Sequence, residues 1–406
     1  MVGFLSLKKL SYLSFFLIVT LIFFSGFSIL PTLISNIFLF SSIILIVISV
    51  LYVLVKHEVD VKELIFIFIF ILPVTISYVY NINSYPNLNR FILFSFFYPL
   101  LFIFFKYIVG NFSLNKVILP FLVCSVIVVV LSSISSFGLY EFNIYDKNTE
   151  TLETFKDLSG SGRLFAMTGI YLNQNTFAPI LIVGFFTFLL FILNDLSVFK
   201  KNVIIVLAIL NLIMFVLTLA RGPIFALLVS MILFFILSKI NFSIKIISFL
   251  FLFLFLFLFY QSDYWDIFYT RVDSAGLTYR DVIWADAIKN FFEKPYFGLG
   301  FGNYRFFDGQ AAFSTHNLYL FFLVSLGIVG SLGIFIFIFI LLVNSIYNIF
   351  MESKKQNLLL FSCFILTCLI QQSFEVILDT PFNPLSLFFI LSSVFILRNK
   401  KFSKEW

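Results

Sequence analysis

The chain has 406 residues, of which 61% are hydrophobic and 11% charged, against about 45–50% apolar and about 25% charged in soluble domains. No water-soluble fold hides that much apolar surface, so a soluble catalytic domain is excluded and no nucleic-acid partner is expected. The formal net charge of +6 has to be read from its distribution rather than its sum.

Runs such as Val117 to Leu131 and Ile204 to Ala220 carry no charge, and several others reach the roughly 20 residues that cross a hydrocarbon core of about 30 Å. A lone segment in lipid must satisfy its own backbone hydrogen bonds, so these read as spanning helices. The first stretch, Leu10 to Leu30, is longer than a secretory core and lacks a small-residue cleavage site, and is expected to be a retained helix. Polar punctuation predicts spans near 10–30, 33–55, 64–80, 91–108, 117–137, 176–194, 203–219, 223–238, 246–260, 317–346, 357–374 and 382–397. The expected fold is therefore an all-α polytopic membrane protein of about 12 transmembrane helices, one membrane domain over 1–406. The 63 phenylalanines fit a lipid-compatible compositional bias better than a cofactor box.

With a cytoplasmic N-terminus, the inner segments gather lysines, among them Lys8-Lys9, Lys200-Lys201, Lys354-Lys355 and Lys400-Lys401, while the short outer connections carry Arg90 and Arg221. The positive-inside rule then places both termini in the cytoplasm. Two segments, 139–175 and 261–316, are too long and polar for simple turns, and both fall outside as large external loops. Within the second, Thr278 to Phe292 has the apolar spacing of a short amphipathic helix lying on the membrane surface. The two halves share no repeated motif, which argues against a transporter built from internal repeats.

Six of the seven arginines (Arg90, Arg163, Arg221, Arg271, Arg280 and Arg305) lie on the expected outer side, whereas most lysines lie inside. Topology accounts for the lysines but gives no reason for arginine outside. A planar, permanently charged fork suits bidentate binding of phosphate, so an anionic ligand on this face is the sharper reading, and loop arginines paired with acids the plainer one. Arg221 stands in Thr218-Leu-Ala-Arg221-Gly222-Pro223 between two apolar spans, where a charge is costly unless it meets a polar cavity or snorkels to the headgroups. Of the two histidines, His57 belongs to a charged inner loop. His316 opens a long apolar helix in Ser314-Thr315-His316-Asn317, placed either to take a proton from a hydroxyl or to serve as a polar cap.

Cys124, Cys363 and Cys368 show no metal or redox spacing and read as packing residues. The chain has no Gly-rich nucleotide loop, no His or Cys cluster and no paired acidic motif for a divalent ion. Glu141, Asp146, Glu150, Glu153 and Asp157 are scattered through one loop, and no cofactor or metal is expected.

Three stretches together resemble the O-antigen ligase and Wzy-type O-antigen polymerase superfamily. The first is His316-Asn317, nine residues, then Gly327-Ile328-Val329-Gly330; the second is Leu219-Ala220-Arg221-Gly222. The third is Arg280-Asp281-Val282-Ile283-Trp284 leading to Pro295, Gly298, Gly300 and Gly302. A weaker similarity covers Gly169 to Asn175, so that the family-like region runs over roughly 163–335.

The resemblance implies a metal-independent, inverting glycosyltransferase of the bacterial inner membrane with its active site facing the periplasm. Its donor would be a polyprenyl-diphosphate-linked oligosaccharide and its acceptor a glycan, with membrane lipid around it and a chain-length regulator and flippase as protein partners. By motif, diphosphate binding falls on Arg221 and Arg280 and service of the acceptor hydroxyl on His316. Arg163 and Arg305, with Asn173, Asn175 and Asn317, are expected substrate contacts. The residue four after Arg221 is Phe225 rather than the leucine of a ligase-type pattern, which favours a polymerase over a ligase acting on lipid A core. The rival from another class, a lipid-linked oligosaccharide flippase or other transporter, would line a central path with intrahelical charges.

Overall fold

The computed structural model describes residues 7–27, 30–56, 61–84, 87–136, 143–146, 151–154, 170–171, 174–194, 201–237, 280–308, 311–351 and 355–398. In chain order the helices are α1 (Leu7–Ser25), α2 (Thr32–Lys56), α3 (Val61–Tyr80), α4 (Leu88–Ser95), α5 (Phe97–Asn111), α6 (Leu114–Ser136) and α7 (Gln174–Leu193). They continue with α8 (Lys201–Leu217), α9 (Arg221–Leu237), α10 (Arg280–Glu293), α11 (Leu318–Met351), α12 (Gln356–Gln371) and α13 (Pro384–Arg398).

Among the described residues, six helices are long and apolar enough to cross a membrane: Lys8–Ser25, Thr32–Val55, Leu88–Asn111, Leu114–Ile134, Gln174–Leu193 and Leu318–Met351. Five shorter apolar helices accompany them, at Ile67–Tyr80, Lys201–Leu217, Arg221–Leu237, Gln356–Gln371 and Pro384–Arg398. The architecture is that of a polytopic helical membrane protein. The span expected at 246–260 lies outside the described residues.

The lipid-facing and packed surfaces separate by helix. On α2, Leu33, Ile37, Phe40, Ile44, Ile48, Leu51 and Val55 are exposed at helical spacing, a stripe that in water would be unstable and in lipid costs nothing. By contrast α12 is buried from Leu358 to Leu369 and packs against α9, α11 and α13. Phenylalanine fills the interior: Phe15 meets Phe105 edge-on at 5.3 Å, Phe121 meets Phe388 at 5.0 Å, and Phe361 stacks on Phe395 at 4.4 Å, geometries that suit the ring quadrupole.

Two features depart from the expected uninterrupted spans. The segment read as 91–108 is divided between α4 and α5 at Phe96, although the two run on as one apolar stretch. The segment read as 317–346 is not one straight helix. Gly327 has φ 66° and ψ −173° inside α11, which breaks the helix and separates a short N-terminal piece from residues 328–351. Those 24 residues, at about 1.5 Å each, cross a bilayer unaided.

The helical fold is as expected, and the long polar segments add two short hairpins to it. Asn143–Asp146 pairs antiparallel with Thr151–Thr154, and Phe306–Asp308 with Ala311–Phe313. Their Ile, Tyr, Thr and Phe content favours extended backbone once the chain leaves the helical bundle.

Candidate functional site

The break in α11 is filled by the chain that follows α10. The Leu299 and Gly300 amides donate to the Val324 and Ser325 carbonyls at 2.9 and 3.0 Å, and the Ile328 and Val329 amides donate to the Pro295 and Tyr296 carbonyls at 2.8 and 3.0 Å. Backbone groups released by the kink thus regain partners, as a buried peptide group requires. The approach is too close for side chains: a Cβ on Gly298 would stand 2.5 Å from the Ser325 carbonyl carbon, and one on Gly327 would stand 2.4 Å from that of Tyr296. Both glycines have positive φ, so conformation and contact each demand glycine. Ser77 Oγ of α3 and Nδ2 of Asn81, the residue just after that helix, donate to the Phe297 carbonyl at 2.8 Å each. These bonds lock the N-terminal part of α11 to the end of α10 and to the end of α3.

His316 stands just before α11 with φ 47°. Asn317 caps the helix, its Oδ1 accepting from the Tyr319 and Leu320 amides at 3.0 and 3.1 Å, as an N-cap asparagine does. The Thr315 hydroxyl donates to the Asn317 carbonyl at 2.8 Å, and the Trp284 indole N–H of α10 donates to the Thr315 carbonyl at 2.9 Å. The Leu318 amide donates to the Gln372 carbonyl at 2.9 Å, bringing the α11 start beside the end of α12.

The connection from α12 to α13, residues 372–383, supplies the centre of the site. Glu375 Oε2 lies 3.1 Å from His316 Nδ1. Its Oε1 accepts from Arg280 Nη2 and from Asn175 Nδ2, each at 3.0 Å. The Glu375 side chain is only 12% exposed, and a carboxylate that far from water requires such partners. The connection itself is held rigidly: Gln372 Oε1 accepts from the Ile377 and Leu378 amides at 3.0 and 3.1 Å, and Asn383 Oδ1 accepts from the Ser386 amide at 2.8 Å. Tyr98 and Ser386 join it, their hydroxyls 3.1 Å apart, with Ser386 donating to the Thr380 carbonyl at 2.7 Å.

Arg221 is the first residue of α9, reached through a reversal in which Leu219 has φ 54°. Its neighbour Gly222 abuts Phe374, where an added Cβ would fall 2.7 Å from the Phe374 Cβ. Phe225 meets Phe374 edge-on at 6.3 Å. The start of α9 is therefore seated on the residue that precedes Glu375.

Of the residues expected from sequence, Arg280, His316 and Asn175 converge on one carboxylate and Arg221 stands at the start of the helix packed beside it. Asn317 is adjacent and caps α11. Arg305 is exposed in the loop after α10 and, among the described residues, makes no hydrogen bond to this group. Arg163 and Asn173 lie outside the described residues. Glu375 is the residue sequence reasoning missed. The available signal was a carboxylate in Gln371-Gln372-Ser373-Phe374-Glu375, at the polar end of an apolar run, where an ionisable group is rarely idle.

A second ion pair marks the same connection four residues on. Asp379, 14% exposed, faces Arg90 of α4 at 3.8 Å, and the Arg90 stem packs beside Gly302, whose added Cβ would fall 3.0 Å from Arg90 Cδ. Burial pushes the Asp379 carboxyl up to about 6, against the opposing pull of Arg90 and of its own backbone N–H.

A comparison with curated proteins finds no match. The model of the O-Antigen ligase family, Wzy_C, matches residues 206–335, a stretch that includes Arg221, Arg280, His316 and the glycines of the α11 break but ends before Glu375. Over those residues the chain is similar to the O-Antigen ligase family, which supports the resemblance to the O-antigen ligase and Wzy superfamily.

Proposed function

We propose that the protein is a surface-polysaccharide polymerase that transfers glycan from a polyprenyl-diphosphate-linked donor to a sugar hydroxyl of a lipid-linked repeat unit. The match to the O-Antigen ligase family supports ligase- or polymerase-type work on lipid-linked glycans in general. The observation that carries the finer reading is the convergence of Arg280, His316 and Asn175 on Glu375 at one end of the helical bundle.

With His316 Nδ1–H donating to Glu375, Nε2 holds the lone pair and is directed away from the carboxylate, the arrangement a general base needs. The acceptor hydroxyl oxygen bonds to the anomeric carbon, the bond from that carbon to the phosphate oxygen breaks with its electron pair going to the diphosphate, and the hydroxyl proton goes to His316 Nε2. Arg221 and Arg280 meet the negative charge that grows on the leaving group; fixed guanidinium forks there favour the transition state. A single displacement inverts the anomeric centre. Glu375 engages one Nη2 of Arg280 and leaves the rest of the fork for phosphate. Arg163, Arg305, Asn173 and Asn317 are assigned further contacts to the glycan or diphosphate.

The same reading places twelve spans in a bacterial inner membrane, both termini in the cytoplasm, and loops 139–175 and 261–316 in the periplasm, with the family-like region over 163–335. A flippase and a chain-length regulator would work beside it. Phe225 in place of leucine favours polymerase over its alternative, a ligase acting on lipid A core, and the family match fits either.

A deletion strain separates the two. Surface glycan reduced to a single capped repeat supports the polymerase. Long lipid-linked chains that never reach the core would indicate the ligase, and unaltered surface glycan would remove both.

A further inference from the structure

Helix α10 grips the site twice. Arg280 holds Glu375, and Trp284, four residues later on the same helix, holds the Thr315 carbonyl through its indole N–H at 2.9 Å. Residues four apart leave one face of a helix a single turn apart, about 6 Å along the axis. Consecutive turns of α10 therefore engage Glu375 and the residue just before His316.

The turn that Trp284 holds is a strained one. His316 has φ 47°, a region an L-residue occupies only where surrounding contacts over-determine it. Its backbone is bounded by the Thr315 hydroxyl on the Asn317 carbonyl and by the Leu318 amide on Gln372; Trp284 adds the contact that comes from α10. The indole is itself seated, packing against the buried cluster of Ile283, Ala287, Tyr304 and Val324. The Tyr304 hydroxyl, 3.0 Å from the Ile283 carbonyl and 2.9 Å from Asp286 Oδ2, ties the following loop back onto α10. At its far end α10 is anchored by the loop in the α11 break.

We propose that Trp284 is a positioning residue for glycan transfer: its indole N–H holds the Thr315 carbonyl so that His316 keeps both its aim at Glu375 and its spacing from Arg280. The proposal rests on the transfer reading above. A tryptophan near a membrane surface ordinarily points its N–H at water or headgroups; here the donor is spent on the turn that presents His316.

The test uses the full chain in lipid nanodiscs with a polyprenyl-diphosphate-linked repeat as substrate. Trp284→Phe keeps an aromatic ring and removes the donor. It is expected to lower kcat by about 10- to 100-fold, the range that misplacement of a reacting group by about 1 Å produces, while KM for the donor stays near the parent value. Trp284→His, which returns a ring N–H, should recover part of the lost rate. A second readout does not need turnover. The chain has two histidines, so His57→Gln leaves His316 as the only source of imidazole signals in histidine-labelled protein. Trp284→Phe should displace those signals, and Phe292→Ser, on an exposed site of the same helix, should not. Parent kcat together with undisplaced signals in folded Trp284→Phe overturns the proposal. So does a rise in KM at constant kcat, which would make Trp284 a substrate contact. If the parent protein transfers no glycan, the transfer reading fails, and the imidazole signals alone still decide whether Trp284 holds His316.

Discussion

Glu375 Oε2 stands 3.1 Å from His316 Nδ1 although the two are 59 residues apart in the chain. One residue comes from the turn before α11 and the other from the connection between α12 and α13, so their meeting depends on how these helices pack. A carboxylate on Nδ1 sets the imidazole's orientation and leaves Nε2 to take a proton. Glu375→Gln keeps the side-chain shape but removes the charge, and the expected outcome is a loss of about 10²-fold in transfer rate with insertion unchanged. Initial rates in membranes of equal protein content check this; a variant as fast as the parent would remove Glu375 from the reaction.

His316 itself should be harder to replace. His316→Ala is expected to lose about 10²–10⁴-fold, the usual contribution of proton transfer. Glutamine keeps an orienting hydrogen bond and cannot accept the proton, so His316→Gln separates the two roles. If His316→Ala still extends chains at the parent rate on glycan gels, the histidine is only a polar residue at a helix start.

Arg280→Lys and Arg221→Lys keep the charge and lose the planar fork, and each should cost at least about 10-fold in rate, since lysine is a poor substitute where bidentate recognition matters. The loss should lie in donor use and not in folding. Parent turnover by both variants would take diphosphate binding away from them.

Gly298 and Gly327 make a structural prediction. Gly327→Ala would place a methyl group 2.4 Å from the Tyr296 carbonyl on a residue with φ 66°. Overpacking of about 1–3 kcal/mol adds to a left-handed backbone cost of about 1–2 kcal/mol. The variant should therefore show a lower melting temperature and less folded protein in detergent, with Gly298→Ala behaving alike. A parent-like melting curve for both would mean that the loop is not docked in the α11 break.

Asp379 gives a pH dependence of stability. Its folded value of about 6 lies above the ordinary 3.8, so the fold prefers the protonated acid. The stability from this group is fully present below about pH 4 and is lost as pH rises through about 6. A shift of this size corresponds to at most about 3 kcal/mol. Thermal unfolding of the parent should weaken across that window, and Asp379→Asn should flatten the profile. An identical pH profile in the variant counts against it.

Membrane orientation can be read directly. The three native cysteines are buried, which leaves a low background for labelling. Glu150→Cys and Gln310→Cys should react with an impermeant reagent in intact cells stripped of their outer barrier, and Lys201→Cys only after permeabilisation. The reverse pattern would turn the proposed topology over, and the periplasmic assignment of the site with it.

Most of the helices were legible in the sequence because lipid leaves a segment few choices: an uncharged apolar run must satisfy its own peptide groups, and helix does so locally. Arg221, Arg280 and His316 were legible for a related reason, since charged or titratable groups at the ends of such runs stand out against 61% hydrophobic residues. Short-range pattern also marked Gly298 and Gly327, but not their purpose. Their pairing across the α11 break is a contact between separate segments, decided by the space left where two backbones meet. Glu375 was hidden for the same reason. Its place at the polar end of an apolar run was the one local hint, and only the packing of α7, α10 and the start of α11 around the end of α12 brings Arg280, His316 and Asn175 to its two oxygens. The sequence determined which segments enter the membrane through their own transfer free energy. Which ionisable groups share a site was decided by tertiary structure, because a buried carboxylate is stable only where distant parts of the chain supply its partners.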